Sequence, residues 1–233
     1  MWLRWALSVG CILTAATLLR ADPPAGAAAP VNQAKALFEE ARKLAAANDH
    51  AGAIAKYAQS LAIDPACAEV HAYKAASHLA LGQPDDAQSE IDAALKLDGK
   101  DFRFWEIAGQ IKVKAGQVKD GRALYEKAAG LSPHDAGVIY TDLAAALATR
   151  NEPALNPQIE SALQSAAAAD PPGADALFQL GQSYANAGRQ EGKTYLQRYL
   201  QVSEKLPESQ RDAEKMQVAK QMIRALDILK QGP

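Results

Sequence analysis

The sequence is poor in several features that mark common functional classes. Aromatic residues make up only 6% of the 233 residues, and the formal net charge is −2, with charged residues scattered along the chain. The chain therefore lacks the basic patch that is typical of nucleic-acid-binding proteins, and we expect no nucleic-acid partner. Runs of alternating Val, Ile and Thr, which are typical of β-strands, are also missing.

Cysteine is scarce as well. The chain contains only Cys11 and Cys67, and it has no CxxC pair and no Cys/His cluster with the spacing of metal ligands. If the N-terminal segment is removed, Cys67 has no partner for an intramolecular disulfide. We interpret Cys67 as a small residue at the start of a helix, with a bridge to another molecule as the alternative.

Catalytic motifs are not found in the sequence. It has no GxSxG, no HExxH, and neither the Walker nor the dinucleotide glycine pattern. We therefore expect a protein without enzymatic activity, cofactor or metal. His71 and His78 lie seven residues apart on one predicted helix, but two histidines need further ligands to hold a metal ion, so we interpret them as packing residues. An enzyme or metal-binding protein that uses His71 and His78 is the alternative.

The first 21 residues have the layout of a secretory signal peptide. Arg4 supplies a short positive region, residues 5–19 carry no charge, and residues 22–33 form a linker rich in proline and alanine. The uncharged run of 15 residues is shorter than the roughly 20 that a membrane span needs. We predict an exported protein, periplasmic or secreted, which touches a membrane only if the N-terminal segment stays uncleaved as an anchor. Lipidation at Cys11 is disfavoured because the preceding residues lack the usual leucine.

What the sequence has in abundance is alanine and leucine, which favour helix. Predicted helices end at Pro65, Gly99 and Pro133, which are 34 residues apart. A fixed period of this length indicates stacked supersecondary units. When Pro65 is taken as position 32 of a 34-residue repeat, the first three repeats begin at Ala34, Ala68 and Phe102.

The small residues recur at fixed positions of this unit. Small side chains at positions 8 and 20 allow two paired helices to approach to about 8–10 Å, and a larger side chain at position 24 fills the space between neighbouring pairs. These three positions are Ala41, Ala53 and Tyr57 in the first repeat, Ala75, Ala87 and Ile91 in the second repeat, and Gly109, Gly121 and Tyr125 in the third repeat.

Two octets, WEIAGQIK at 105–112 and LFQLGQSY at 177–184, keep parts of the pattern W-x2-L-G-x2-Y. With the 34-residue period, they make the chain resemble the tetratricopeptide repeat (TPR) family. The resemblance implies an all-α, right-handed solenoid of about five helical hairpins in residues 34–206, followed by a capping helix in 207–233. The period slips after Pro133, and we place the extra residues in a longer loop around residues 148–158.

The resemblance also implies a function, because the family binds partner peptides or proteins in a concave groove lined by positions 2, 5, 9 and 12 of each first helix. We therefore predict a non-catalytic protein–protein interaction scaffold of the cell envelope, with a self-associating structural adaptor as the alternative. For Phe38 and Phe178, packing between repeats is weighed equally with ligand contact. The candidate groove residues are Lys35, Phe38, Arg42, Leu79, Arg103, Gln110, Val113, Phe178 and Gln182.

Overall fold

The computed structural model describes residues 28–231, and this part of the chain consists of helices joined by short turns and loops. It contains eleven α-helices, three single 3-10 turns and no β-strand. The predicted all-α class is therefore confirmed for residues 28–231. The predicted signal peptide, with its alternatives, lies outside the described residues, as does the first half of the predicted linker, residues 22–27.

The chain divides into two compact units between Ala115 and Gly116. In the first unit, α1 and α2 form one antiparallel pair and α3 and α4 form the next, while α3 also contacts α1 and α5. The first helices of successive hairpins are therefore neighbours. The helices are α1 (Ala28–Ala46), α2 (His50–Ile63), α3 (Ala68–Ala80), α4 (Pro84–Leu97) and α5 (Phe102–Lys114).

The second unit repeats the same arrangement. Here α7 pairs with α8 and α9 with α10, and the last helix, α11, packs against both α9 and α10. The boundary between the units falls inside the third predicted hairpin, so α5 and α6 belong to different units. The helices are α6 (Val118–Leu131), α7 (Ala136–Ala148), α8 (Asn156–Ala168), α9 (Ala174–Asn186), α10 (Glu191–Lys205) and α11 (Ala213–Gln231).

The repeating small residues are buried, as the spacing predicts. Every residue at positions 8, 20 and 24 of the first three repeats lies in the interior. In the first unit the pairing is reinforced by a hydrogen bond, because the buried Ser60 hydroxyl of α2 donates to the Ala34 carbonyl of α1 at 2.9 Å. For the pairs that lie within one compact unit, the period therefore marks the surfaces at which paired helices meet.

The turns after three of the first helices contain residues that tolerate a left-handed backbone. Asn48, Gly82 and Gly116 follow first helices and adopt left-handed backbone conformations, with φ of 63°, 73° and 84°. Pro84 opens α4, where its missing N–H costs no hydrogen bond. Cys67 is buried immediately before α3, as predicted, but it is disulfide-bonded, which the interpretation as a small packing residue did not include.

The structure differs from the sequence prediction in two places. Helix α1 begins at Ala28, so the last residues of the predicted linker are already helical. In the fourth repeat, the extra residues lie between α7 and α8 as predicted, where they form a 3-10 turn at Pro153–Leu155. With Pro171 taken as position 32, the residues aligned with positions 20, 24 and 27 are Ile159, Leu163 and Ala166. Leu163 and Ala166 are buried as these positions require, whereas Ile159 is only half-buried.

Helix α11 is one-sided, as expected of a helix that covers the last hairpin. Ala219 and Leu226 are buried, while Lys220 and Arg224 face solvent. This separation of buried and exposed residues ends near the C-terminus of α11, where the apolar side chains of Ile228 and Leu229 are 71% and 65% exposed. Within residues 28–231, no helix combines the length and apolar character that crossing a membrane requires.

Candidate functional site

In the first unit, the structure gathers a cation and three aromatic rings on neighbouring helices. Phe38 and Arg42 are four residues apart on α1 and therefore share a face. The Arg42 guanidinium lies 5.7 Å from the ring centroid of Phe38 and 5.4 Å from that of Tyr73 on α3. These distances allow cation–π attraction, which holds α1 and α3 together at this point. We call Phe38, Arg42, Tyr57 and Tyr73 the Arg42 cluster.

Tyr57 of α2 packs against the rings of Phe38 and Tyr73 from the interior of the first unit. Its ring is fully buried, 6.0 Å from Phe38 and 6.3 Å from Tyr73. The Tyr57 hydroxyl is buried and has no hydrogen-bond partner among residues 28–231. Burial raises its pKa above the ordinary value. An unpaired buried hydroxyl is costly, so the interior of the first unit contains a destabilising polar group at Tyr57.

Charged residues surround the cluster on both sides. Arg42 donates a hydrogen bond to Glu39 at 3.3 Å, and Arg103 of α5 binds Asp101 through both carboxylate oxygens. Burial raises the pKa of Tyr73 to about 12, although the charges of Arg42 and Arg103 lower it. Both guanidinium groups therefore lie within electrostatic reach of the same tyrosine.

The remaining predicted residues of the first unit fall into two groups. Lys35 is exposed and Gln110 is half-exposed, so both are accessible at the surface. Leu79 and Val113, both at position 12, are only 4% and 1% exposed. The Leu79 carbonyl also accepts a hydrogen bond from Lys114 Nζ at 2.6 Å. The position-12 residues thus pack in the interior, and a ligand side chain reaches them only by displacing their neighbours.

In the second unit, helix α11 lies over the start of α9, where the groove was predicted. The Phe178 ring packs 5.2 Å from Tyr199, and Lys215 Nζ of α11 lies 6.0 Å from its centroid. Lys215 also forms an ion pair with Asp175 at 2.8 Å. These contacts favour the packing interpretation of Phe178, which is 8% exposed. Gln182 is half-buried one turn further along α9.

The two histidines considered for metal binding are held by different protein groups. His71 contacts the Glu90 carboxylate at 2.6 Å and the Pro65 carbonyl at 3.2 Å, whereas His78 contacts the Gln83 side chain at 2.8 Å. Residues 28–231 contain no group of three or more His, Cys, Asp or Glu side chains placed to hold a metal ion. The histidines are thus polar links, a role that the packing interpretation did not anticipate.

The sequence prediction missed Tyr73 and Glu69 on α3. Tyr73 occupies position 6, which is not among the groove positions, yet it completes the Arg42 cluster. Glu69 occupies a groove position but was not chosen; it is buried, and its charge acts on both Tyr73 and Arg103. In a sequence, such a cluster is indicated by an arginine on the first helix of one repeat and an aromatic residue on the first helix of the next.

Comparison with known proteins supports tetratricopeptide repeats in part of the chain. The tetratricopeptide repeat family model matches residues 44–111, which include the end of α1 and most of α5. The mitochondrial import receptor subunit TOM34 of Rattus norvegicus is 37% identical over 73 residues, which are 31% of this chain and 24% of TOM34. The chain thus spans about a quarter of the length of that curated relative.

Solved structures confirm the fold. A crystal structure of MamA superposes with a TM-score of 0.51 at 20% identity, covering 75% of this chain and 93% of MamA. A second MamA structure gives 0.51 at 22% identity, covering 71% and 95%. The predicted TPR-like helical fold is therefore confirmed. The first TPR of Spaghetti (RPAP3), solved with an HSP90 peptide, reaches 0.47 at 17% identity over 52% of this chain and 96% of its own, too loose a match to carry an argument.

Proposed function

We propose that this protein is a non-catalytic interaction scaffold of the cell envelope, and that it binds a peptide or helix of a partner protein on the face formed by α1, α3 and α5. The Arg42 cluster carries this proposal. It sets a half-buried guanidinium against the rings of two neighbouring first helices. Arginine and tyrosine are the residues that most often dominate binding energy at protein interfaces.

The chemistry of the cluster suits recognition. The half-buried guanidinium offers hydrogen bonds and a cation, and the half-buried Tyr73 ring offers apolar area, while Phe38 and Tyr57 are buried and support them from within the core. Around it, Lys35 and Gln110 provide accessible polar contacts typical of an interface rim.

Site-specific photo-crosslinking tests the proposal. A photoreactive residue at Gln110 on α5 should capture a discrete partner in the cells that produce this protein, whereas the same residue at the exposed Lys96 of α4 should not. Capture at Gln110 should be lost when Arg42→Gln is added. Equal capture at both positions, or capture that is unaffected by Arg42→Gln, would show that the partner binds elsewhere.

Export belongs to the same proposal and is supported by the signal-like layout of residues 1–21. Cell fractionation followed by N-terminal sequencing tests it. We expect the protein in the envelope or extracellular fraction, beginning after Ala21 or within residues 27–29. Protein that retains Met1 in the cytosolic fraction would contradict export while leaving the peptide-binding proposal intact.

Self-association is the second candidate function, and the exposed pair Ile228 and Leu229 at the end of α11 favours it. Light scattering on the mature protein separates the two candidates. A monomer supports the partner-binding scaffold. An oligomer that dissociates when Ile228→Glu and Leu229→Glu are combined supports the adaptor instead.

A further inference from the structure

The side chain of His71 links three parts of the first unit. Its Nδ1 atom lies 2.6 Å from the Glu90 carboxylate on α4, and its Nε2 atom lies 3.2 Å from the Pro65 carbonyl in the turn between α2 and α3. Lys74, one turn along α3, donates to the other oxygen of Glu90 at 2.6 Å. The side chains of His71, Lys74 and Glu90 are only 17% exposed, so water competes little for the bonds among them, whereas the contact with the Pro65 carbonyl is exposed.

Both ring nitrogens of His71 therefore face oxygen acceptors. A carboxylate and a backbone carbonyl each require a donated proton, and a neutral imidazole carries only one N–H. The arrangement is satisfied in full only when both nitrogens are protonated. In either neutral tautomer, a nitrogen lone pair would point at an oxygen lone pair, which is repulsive.

We propose that His71 is a pH-sensitive latch of the first unit, which ties α3 to α4 and to the α2–α3 turn as an imidazolium and releases the turn when it loses one proton. The neutral ring should keep its Nδ1 proton, because the bond to the Glu90 carboxylate is charge-assisted. The bond to Pro65 is then the one that breaks. Release of Pro65 loosens the connection between the first and second hairpins.

The electrostatics agree with the geometry. The hydrogen bond to Glu90 is the main cause that raises the pKa of His71 above 6.5, while burial and the neighbouring Lys74 oppose the rise. Glu90 and Lys74 are the charged groups that act on the ring within residues 28–231. Because the pKa of His71 is raised in the folded state, its contribution to the free energy of unfolding is fully present below pH 6.5. This contribution is lost as the pH rises through the pKa of His71 in the folded protein.

Nitrogen NMR of histidine-labelled full-length protein tests the protonation state directly. At pH 6 we expect the two ring nitrogens of His71 to carry protons together, and we expect the ring to titrate above pH 6.5. In the titrated form, the proton should remain on Nδ1. A His71 ring that is singly protonated at pH 6, or that titrates at or below pH 6.5, would overturn the proposal.

The pH profile of thermal unfolding tests the latch itself. The unfolding midpoint of the wild-type protein should fall between pH 6 and pH 8.5, and most of this fall should disappear in His71→Gln. The matched control is His134→Gln in the second unit, where the exposed histidine precedes α7, and it should keep the wild-type profile. A fall of equal size in His71→Gln would overturn the proposal, and the NMR titration of the wild-type protein decides the matter if that variant does not fold.

Discussion

Gly192 of α10 lies directly against Gly181 of α9. A Cβ atom on Gly192 would stand 2.8 Å from the Gly181 carbonyl oxygen and 2.6 Å from the Ala185 backbone nitrogen. Gly181 is position 8 of a fifth repeat that begins near Ala174, and Gly192 aligns with position 20 when one residue is deleted from that repeat. These are the positions at which the 34-residue period predicts close helix contact. Their contact shows why small residues recur there, because a larger side chain at either position would separate the helices.

We predict that Gly192→Ala destabilises the second unit. The added methyl group meets backbone atoms, which cannot rotate away, and overpacking of this kind costs about 1–3 kcal/mol. Urea unfolding measures the loss. Gly130→Ala on α6 is the control, because a Cβ there has no neighbour within 4 Å, and the better helix propensity of alanine should stabilise by about 0.5–1 kcal/mol. Equal effects of the two substitutions would contradict the close contact.

Gly82→Ala should destabilise the first unit through backbone strain. Gly82 has φ of 73°, and a Cβ there has no neighbour within 4 Å, so the left-handed conformation alone sets the cost, about 1–2 kcal/mol. Asn48 occupies the equivalent turn with φ of 63°, and Asn48→Gly should be neutral or slightly stabilising. Thermal unfolding of both variants checks the prediction, which fails if Gly82→Ala is neutral.

Ser60→Ala should weaken the pairing of α1 and α2. The buried Ser60 hydroxyl donates to the Ala34 carbonyl 26 residues away, so its loss removes a bond between helices and should cost about 1 kcal/mol. Ser77→Ala is the matched control, since the equally buried Ser77 hydroxyl bonds only to Tyr73 of its own helix. Chemical denaturation should show the larger loss for Ser60→Ala, and the reverse order would contradict this assignment.

Acid should destabilise the first unit through Glu90. Burial alone would raise the pKa of Glu90, but the hydrogen bonds from His71 and Lys74 outweigh it and lower the pKa from 4.5 to about 2. Because the folded-state pKa is lowered, the stabilisation is present above pH 4.5 and is lost as pH falls towards 2. We expect the free energy of unfolding to fall by on the order of 2 kcal/mol over this pH range.

Denaturant titrations between pH 5 and pH 2.5 measure this loss. In Glu90→Gln most of it should be absent, because the amide has no charge to lose. Glu126→Gln on α6 removes an exposed partner of Arg122 and should keep the wild-type acid profile. If Glu90→Gln and wild-type protein lose stability in parallel, the Glu90 ion pairs do not contribute as described.

The sequence predicted the helical hairpins well because their packing depends on local, periodic features. The buried columns that contain Ala53, Ala87 and Gly121, and the left-handed turns at Asn48 and Gly82, follow from residue size and backbone freedom alone. The fourth repeat was harder, since its two prolines and extra residues interrupt the 34-residue period before α8.

The candidate site was predicted less completely, because exposure depends on neighbours distant in sequence. Phe38 and Arg42 share one face of α1, but the burial of Phe38 and the contribution of Tyr73 depend on the spacing between α1 and α3. Phe178 is covered by α11, and no periodic pattern tells where a terminal helix docks. Whether the groove residues bind a ligand stays a prediction.

The most direct test of the proposed function is calorimetric titration of the partner captured through Gln110 against wild-type protein and Arg42→Gln. We predict that Arg42→Gln weakens binding at least about tenfold, as expected for a central interface arginine, while its unfolding midpoint stays close to that of the wild type. Arg122→Gln, which removes a half-exposed arginine of α6, should bind as the wild type does. Unchanged affinity in a folded Arg42→Gln variant would contradict the assignment of the Arg42 cluster as the binding site.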